Sequence, residues 1–365
     1  QNLRCRSNPA VENLRRKVTA EHAEFVTITK FLSKDVSNDC DILCLDECST
    51  ISNRDMVRVL QRAQCKLLVL VGDIYQIESI LFGNWFNIAY KVMPKDSVAE
   101  LTRPHRTTVQ GLIEVWNKVR EITEDRLEFI TRNGLSSTLD ESIFSRTEED
   151  EIVLCLNYDG IYGINNINKF LQSNNVNPSI NWGVLSYKVG DPVLFNESNR
   201  FAPLVYNNLK GKILQIEEEE DCIYFTIEVY TVLNELDVIG FDLELKESVT
   251  DETSVIRFKV GRGGDGNDDN DNVENVVPFQ VAYAISIHKA QGLEYESVKV
   301  VITSEIEEMV SHNIFYTAIT RAKSKLKIYW SPETEKRILE NMKVQFNDKD
   351  YQLFKAKYKE ALLKS

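Results

Sequence analysis

Hydrophobic and polar positions alternate in two distinct textures along this chain. In the first, continuous apolar runs ending in polar residues are interleaved with stretches of helical period. DILCLDE (41–47) reads as a buried strand with a polar end, RDMVRVLQRAQ (54–64) as a helix, and KLLVLVGD (66–73) as a second buried strand closing on Gly-Asp. Before them, PAVENLRRKV (9–18) follows Ser7-Asn8 with a proline and carries apolar residues at 11, 14 and 18, the pattern of a capped short helix with a basic outer face. TITKFL (27–32) predicts a short strand or turn, 79–90 a short helix, and SVAELT (97–102) a further strand. TVQGLIEVWNKVREI (108–122) is an amphipathic helix, and EIVLCLN (151–157) followed by GINNINKFLQSNN (163–175) repeats the strand–helix unit. Strand–helix–strand with polar strand exits is the pattern of a parallel α/β sheet.

From 183 to about 260 the second texture takes over. PVLFN, GKILQIEE, CIYFTIEVYTV and VIRFKV are short alternating runs punctuated by Gly, Asp and Asn, which predicts a small β-rich insert. GRGGDGNDDNDNVEN (261–275) reads as a polar loop or hairpin tip. The α/β texture returns with FQVAYAISIHKAQGLE, SVKVVIT, the helix HNIFYTAITRAK and the strand LKIYW, with Trp330 at the strand's end in the core. A mixed-charge helix follows near 352–364.

A length of 365 residues fits two or more domains. No apolar run approaches the about 18 residues that a membrane span requires. The opening QNLRCRSNPA has neither an initiator Met nor an apolar signal core, which argues against secretion and predicts a cytoplasmic protein or a fragment of one. Cys5, Cys40, Cys44, Cys48, Cys65, Cys155 and Cys222 are odd in number and lack tight ligand spacing, so they read as reduced thiols; the four histidines offer no metal cluster. The formal charge of −13 means that any nucleic-acid binding must come from local basic features. EEDE (148–151), EEEED (217–221) and DGNDDNDNVE (265–274) read as solvated surface.

Several polar residues sit where a plain core would not put them. Asp46-Glu47 closes an apolar strand, a position shared by surface acids and by the acids of nucleotide-hydrolysis sites, where one carboxylate binds Mg2+ and the next orients water. LVGDIYQIES (70–79) closes the next strand and places Gln76 three residues beyond an acid. Arg106 in LTRPHRTT and Arg321 in FYTAITRAK are forks suited to a transferring phosphoryl group. Arg321, within that helix beside Ala318, Ile319 and Ala322, needs a carboxylate or phosphate partner if buried. SIHKAQGLEYESV (286–298) gathers His288, Lys289, Gln291, Gly292 and Glu294 into one turn between apolar runs.

In this order the segments resemble the motifs of superfamily 1 helicases of the RecD/Pif1-like branch. SNPAVENLRRKV is similar to motif Ia, LDECS to motif II, VGDIYQIES to motif III, LTRPHRTT to motif IV, ISIHKAQGLEYESV to motif V and YTAITRAKSKLKIYW to motif VI. The resemblance covers residues 7–330. It implies an α/β fold of two RecA-like parallel-sheet P-loop NTPase domains, the first incomplete, with a β-rich SH3-like insert. Residues 1–95 would be the remainder of the first RecA-like domain and 96–182 the start of the second. The insert would span 183–260, an acidic loop 261–275, the rest of the second domain with its UvrD-like C-terminal motifs 276–335, and a helical extension 336–365.

The resemblance also implies ATP and Mg2+ as cofactors and single-stranded or partly duplex DNA as partner, with RNA the alternative, unwinding from 5′ to 3′, no membrane, and a nucleoid association if the source is bacterial. By position, Asp46 would hold Mg2+, Glu47 would be the general base and Gln76 the sensor of the terminal phosphate. Arg106 and Arg321 would be arginine fingers, with Gly292 and Glu294 on the nucleotide. Ser7, Asn8, His288 and Lys289 would lie against strand phosphates, which position without reading sequence.

One part is missing. A phosphate loop G-x-x-x-x-G-K-[ST] should precede Asp46, yet the first glycine is Gly72. Gly211-Lys212 lies downstream and is followed by Ile213, and GRGGDG (261–266) lacks the strand-to-helix setting. The expectation is therefore a piece of a longer ATPase, inactive alone; a catalytically retired binding module and an RNA-directed or non-unwinding ATPase are the competing readings.

Overall fold

A computed structural model describes residues 26–33, 39–77, 83–102, 104–196, 200–202, 204–248, 250–262, 275–343 and 348–362. The helix expected at 9–18, with Ser7 and Asn8, lies outside them. The chain divides into two compact units, one built from the described residues of 1–74, 78–98 and 347–365, the other from those of 75–77 and 99–346.

In the first unit, β1 (Asp39–Leu45) and β2 (Gln64–Leu70) pair in parallel, Asp39 opposite Gln64 and Leu45 opposite Leu70. The helix Asn53–Arg62 connects them. Ser52 caps it, its Oγ accepting from Asp55 N at 3.0 Å, and Met56 and Val59 point into the core with Phe31, Leu45, Cys48 and Ile51. TITKFL forms a short helix, Ile28–Phe31, because the Thr27 hydroxyl caps it through Lys30 N while Phe31 is buried. SVAELT forms no strand. A 3-10 turn over Lys95–Ser97 leads into irregular chain whose Leu101 is 88% exposed, so the alternation there meets no neighbouring strand that could stabilise it.

The strands of the second unit are β3 (Ser136–Ser137), β4 (Glu151–Cys155), β5 (Ser179–Trp182), β6 (Leu185–Lys188), β7 (Pro192–Phe195), β8 (Lys210–Glu218), β9 (Cys222–Val229), β10 (Glu244–Lys246), β11 (Ser254–Gly261), β12 (Phe279–Val281), β13 (Ala284–Ser286), β14 (Tyr295–Val301) and β15 (Ala322–Tyr329). A parallel sheet runs β13-β4-β14-β15-β3. β4, inside this sheet, is buried on both faces, which is why residues 152–156 read as an unbroken apolar run. Leu112, Val115, Trp116 and Val119 of the helix Gln110–Arg120 pack with Ile152, Val298 and Ile328, while Ile164, Ile167 and Leu171 of the helix Ile164–Ser173 pack with Val153, Cys155 and Val301.

The alternating segments form an antiparallel sheet, β10-β11-β9-β8-β7-β12, around Phe195, Phe201, Phe225, Phe258 and Phe279. Every second residue of β9 is buried. Gly211 permits the close approach of β8 to β9, since a Cβ there would fall 2.8 Å from Ile227 Cγ2 and 2.9 Å from Glu228 O. Asp191, fully buried where the insert begins, accepts from Gln172 Nε2 at 2.6 Å, Asn175 Nδ2 at 2.9 Å, Lys188 N at 2.9 Å and Tyr283 OH at 2.8 Å.

Two of the acidic runs are paired as well as solvated. Glu151 is buried against Lys299 at 3.0 Å, Lys212 reaches Glu149, and Arg257 and Arg262 reach Glu217 and Glu218. These cations come from segments distant in sequence, which the local composition does not encode. Among the described residues no helix is long and apolar enough to cross a membrane.

Candidate functional site

In the first unit the exits of the two parallel strands lie side by side. Val71 N donates to Leu45 O at 2.8 Å and Cys48 N to Val71 O at 2.9 Å. Asp46 is exposed at the tip of β1, its Oδ1 accepting from Glu47 N at 2.8 Å. Glu47 is half-buried and holds a left-handed backbone, φ 53° and ψ 42°, a conformation that costs a non-glycine residue on the order of 1 kcal/mol or more. Gly72 fits because a Cβ would fall 2.9 Å from Phe86 Cε1 and 3.1 Å from Cys48 N. Burial pushes the Cys48 thiol up to about 12, and its Sγ donates to Leu45 O, so this cysteine is a packing group.

Among the described residues no group of three or more His, Cys, Asp or Glu side chains could hold a metal ion by itself. The residues nevertheless suit Mg2+, which commonly takes one or two carboxylates and completes its shell with water and substrate phosphates. An exposed carboxylate at a strand exit, as Asp46 is, meets that requirement.

In the second unit, Tyr75, Gln76 and Ile77 dock on the helix His312–Ile319. Asn313 Nδ2 donates to Gln76 O at 2.9 Å, Ile77 N to Thr317 Oγ1 at 3.0 Å, and Gln291 Nε2 to Ile77 O at 3.3 Å. The Tyr75 ring lies 6.1 Å from both His312 and Tyr316. This segment thus joins the stretches around Gln291 and Thr317.

Arg321 lies in the turn between that helix and β15, not within the helix as its apolar neighbours predict. It is fully buried. Its Nε donates to Thr317 O at 2.9 Å, Nη1 to Leu293 O at 3.2 Å and Nη2 to Thr320 Oγ1 at 3.2 Å. Backbone carbonyls and a hydroxyl, beyond the carboxylate or phosphate expected from sequence, stabilise this guanidinium in the core. Arg106 stands next to it, with Nε donating to Glu294 Oε2 at 3.3 Å and Nη1 to Thr320 O. Lys323 pairs with Glu294 Oε1 at 3.0 Å. Burial works to raise the Glu294 carboxyl, but Lys323 and Arg106 outweigh it and hold the group below its ordinary range. Gly292 adopts φ 77°, turning the chain into Glu294. Arg106, Arg321, Gly292 and Glu294 are therefore gathered at the N-terminal ends of β14 and β15.

Lys323, Thr317 and Lys210 join them without having been picked out from sequence. Lys210 donates to Glu294 O at 3.1 Å and Asp150 Oδ1 at 2.6 Å, with its ammonium 4.1 Å from the Tyr295 ring; burial lowers its pKa against the pull of Asp150. His288 and Lys289 lie elsewhere, in the turn after the C-terminal end of β13, the opposite end of the sheet. His288 is exposed. Lys289 Nζ donates to Gln280 Oε1 at 2.7 Å, and burial lowers its pKa.

Comparison with known proteins bears on both units. Residues 281–329 match the UvrD-like helicase C-terminal domain and residues 6–140 match an AAA domain. An uncharacterized protein of Methanocaldococcus jannaschii is 24% identical over 354 residues, covering 81% of this chain and 29% of its own length. The RecBCD enzyme subunit RecD of Mycolicibacterium smegmatis is 22% identical over 336 residues, covering 84% of this chain and 52% of its own. The chain thus spans about half or less of these relatives. The Pif1 helicase of Candida albicans superposes with a TM-score of 0.48 at 17% identity, covering 86% of this chain and 77% of that one. Together these matches define a class, proteins that carry an AAA domain and a UvrD-like helicase C-terminal domain. Within that class, the chain is related to the superfamily 1 helicases of the RecD/Pif1-like branch.

Proposed function

We propose that this chain is a piece of an ATP-dependent DNA helicase motor that moves 5′ to 3′ along a single strand and unwinds duplex ahead of it. The observation that carries the reading is the convergence of Arg106, Glu294, Lys323 and buried Arg321 at one end of the parallel sheet. Two arginine forks, each held by backbone carbonyls, gather positive charge there, Arg106 part-exposed and Arg321 fully buried, of the kind that stabilises charge developing on a phosphoryl group. When bound, Mg2+-ATP would supply the terminal phosphoryl group, with ADP as the leaving group. Asp46 would hold the metal, Glu47 would take the proton of the attacking water, and Gln76 would orient toward the terminal phosphate. Arg106 and Arg321 would stabilise negative charge, and Gly292 and Glu294 would shape the nucleotide's sugar side. His288 and Lys289, with Ser7 and Asn8, would track strand phosphates, so that the strand moves irrespective of base order.

The test is the ATPase rate of this chain, and of a longer natural form that includes a phosphate loop, with and without single-stranded DNA. The longer form should show a DNA-stimulated rate that Glu47→Gln lowers by about 10²–10⁴-fold, the range for losing a general base, while this chain alone shows little turnover. Absence of turnover in the longer form would overturn the motor reading in favour of a RecA-like binding scaffold. Matched RNA and DNA strands in competition would settle the substrate.

A further inference from the structure

The parallel sheet ends unevenly at β15. Its outer neighbour β3 pairs only with Ile328 and Tyr329, although β15 starts at Ala322. Over residues 322–327 that edge faces no strand among the described residues. In a parallel ladder the N–H and C=O of one residue point the same way. Ile328 N donates to Leu135 O at 2.7 Å and Trp330 N to Ser137 O at 3.1 Å, so the even-numbered residues address this edge. Ser324 and Leu326 therefore turn their backbone donors and acceptors outward. At about 3.3 Å per residue, the six-residue edge is on the order of 20 Å long.

A groove of about 490 Å³ runs along it and is lined from both faces of the sheet. One side is apolar, with Leu326, Leu112 and Leu135; the other carries Lys325 and Lys327 and extends across the sheet face to the Glu151–Lys299 pair, whose charges offset each other, so its net charge is positive. Lys325 is 58% exposed and pairs with the exposed Glu148 carboxylate, a pair weak enough to exchange, and the Lys327 ammonium donates to Gly134 O at 2.8 Å. The neighbouring helix Gln110–Arg120 opens with no side-chain cap and no acid in its first turn. Gly111, also lining the groove, has nothing within 4 Å of where its Cβ would stand.

We infer that this edge is a strand-addition site for an extended segment of a partner protein whose side chains alternate between apolar and acidic. An added strand would satisfy the outward backbone groups of Ser324 and Leu326. Its period of two would send apolar side chains toward Leu112, Leu135 and Leu326 and acidic ones toward Lys325 and Lys327. The charge of the basic side selects acids over lysines at those positions. The edge borders the Arg106–Glu294–Lys323 cluster at its Lys323 end, but the proposal does not rest on the motor reading, because its test reads peptide binding alone.

The experiment uses fluorescein-labelled peptides, one alternating Glu and Val and one with the same residues in two blocks, titrated with the full chain and read by anisotropy. The alternating peptide should bind saturably, and the blocked peptide about tenfold more weakly or worse. Lys325→Glu with Lys327→Glu, and separately Gly111→Trp, should each weaken the alternating peptide by about tenfold or more, with circular dichroism and melting profile preserved in at least one of them. Equal binding of the two peptides, no saturable binding, or affinity unmoved in a folded variant would overturn the proposal. So would a dimer of this chain that Gly111→Trp dissolves, because the groove would then belong to a second copy.

Discussion

Glu294 carries two cations on one carboxylate, Lys323 at 3.0 Å and Arg106 at 3.3 Å. A carboxyl held below its ordinary 4.5 contributes stability that is present above that value and lost as pH falls through the folded-state pKa. Glu294→Gln should therefore lower stability at neutral pH, and the gap from the parent chain should close as the solution is acidified below 4.5. Urea melts of both proteins between neutral and acid pH check this. With the side chain 47% exposed, the gap should also shrink in high salt. Gly72 is limited by space. In Gly72→Ala the new methyl meets the Phe86 ring, which can turn, and the Cys48 backbone, which cannot. A cost of about 1–3 kcal/mol is expected, visible as faster hydrogen exchange across β1 and β2 with the second unit unchanged.

At the level of elements, the insert is fastened at its entry by one carboxylate. Asp191→Ala would leave donors of Gln172, Asn175, Lys188 and Tyr283 facing an apolar methyl. A loss of about 3 kcal/mol or more is expected, since each buried donor left without an acceptor costs about 1–3; thermal melts measure it. The strands that could be read directly were those whose environment matches their own pattern. EIVLCLN became β4, buried throughout, and CIYFTIEVYTV became β9 with its alternation intact, whereas DILCLDE and KLLVLVGD became β1 and β2 but not the buried strands expected, with Ile42 60% and Leu67 52% exposed. SVAELT shows that alternation is insufficient without a neighbouring strand, and TITKFL that a single capping hydroxyl can decide a four-residue segment. In the candidate site, Arg106, Glu294 and Arg321 were visible because charge stands out against apolar surroundings. Lys210 was not, because it reaches Glu294 across 84 positions from inside the insert, a distance that no local pattern spans. The same gap hid Lys299, whose partner Glu151 reads in sequence as one more member of an acidic run.

Across the whole molecule, a formal charge of −13 sits on a chain with local basic features, the Arg106–Arg321–Lys323 cluster and the β15 edge among them. Long-range attraction to a polyanion is therefore weak, and contacts with it depend on short-range geometry. The way the insert joins the parallel sheet has a separate consequence. Its first strand, β7, and its last, β12, are antiparallel partners, Val193 opposite Val281, and Ala282 N donates to Pro192 O at 2.8 Å. The two ends of nearly ninety residues thus meet at one place. Excising residues 192–281 and joining the flanking ends would need only a short bridge and would leave the order of the parallel strands unchanged.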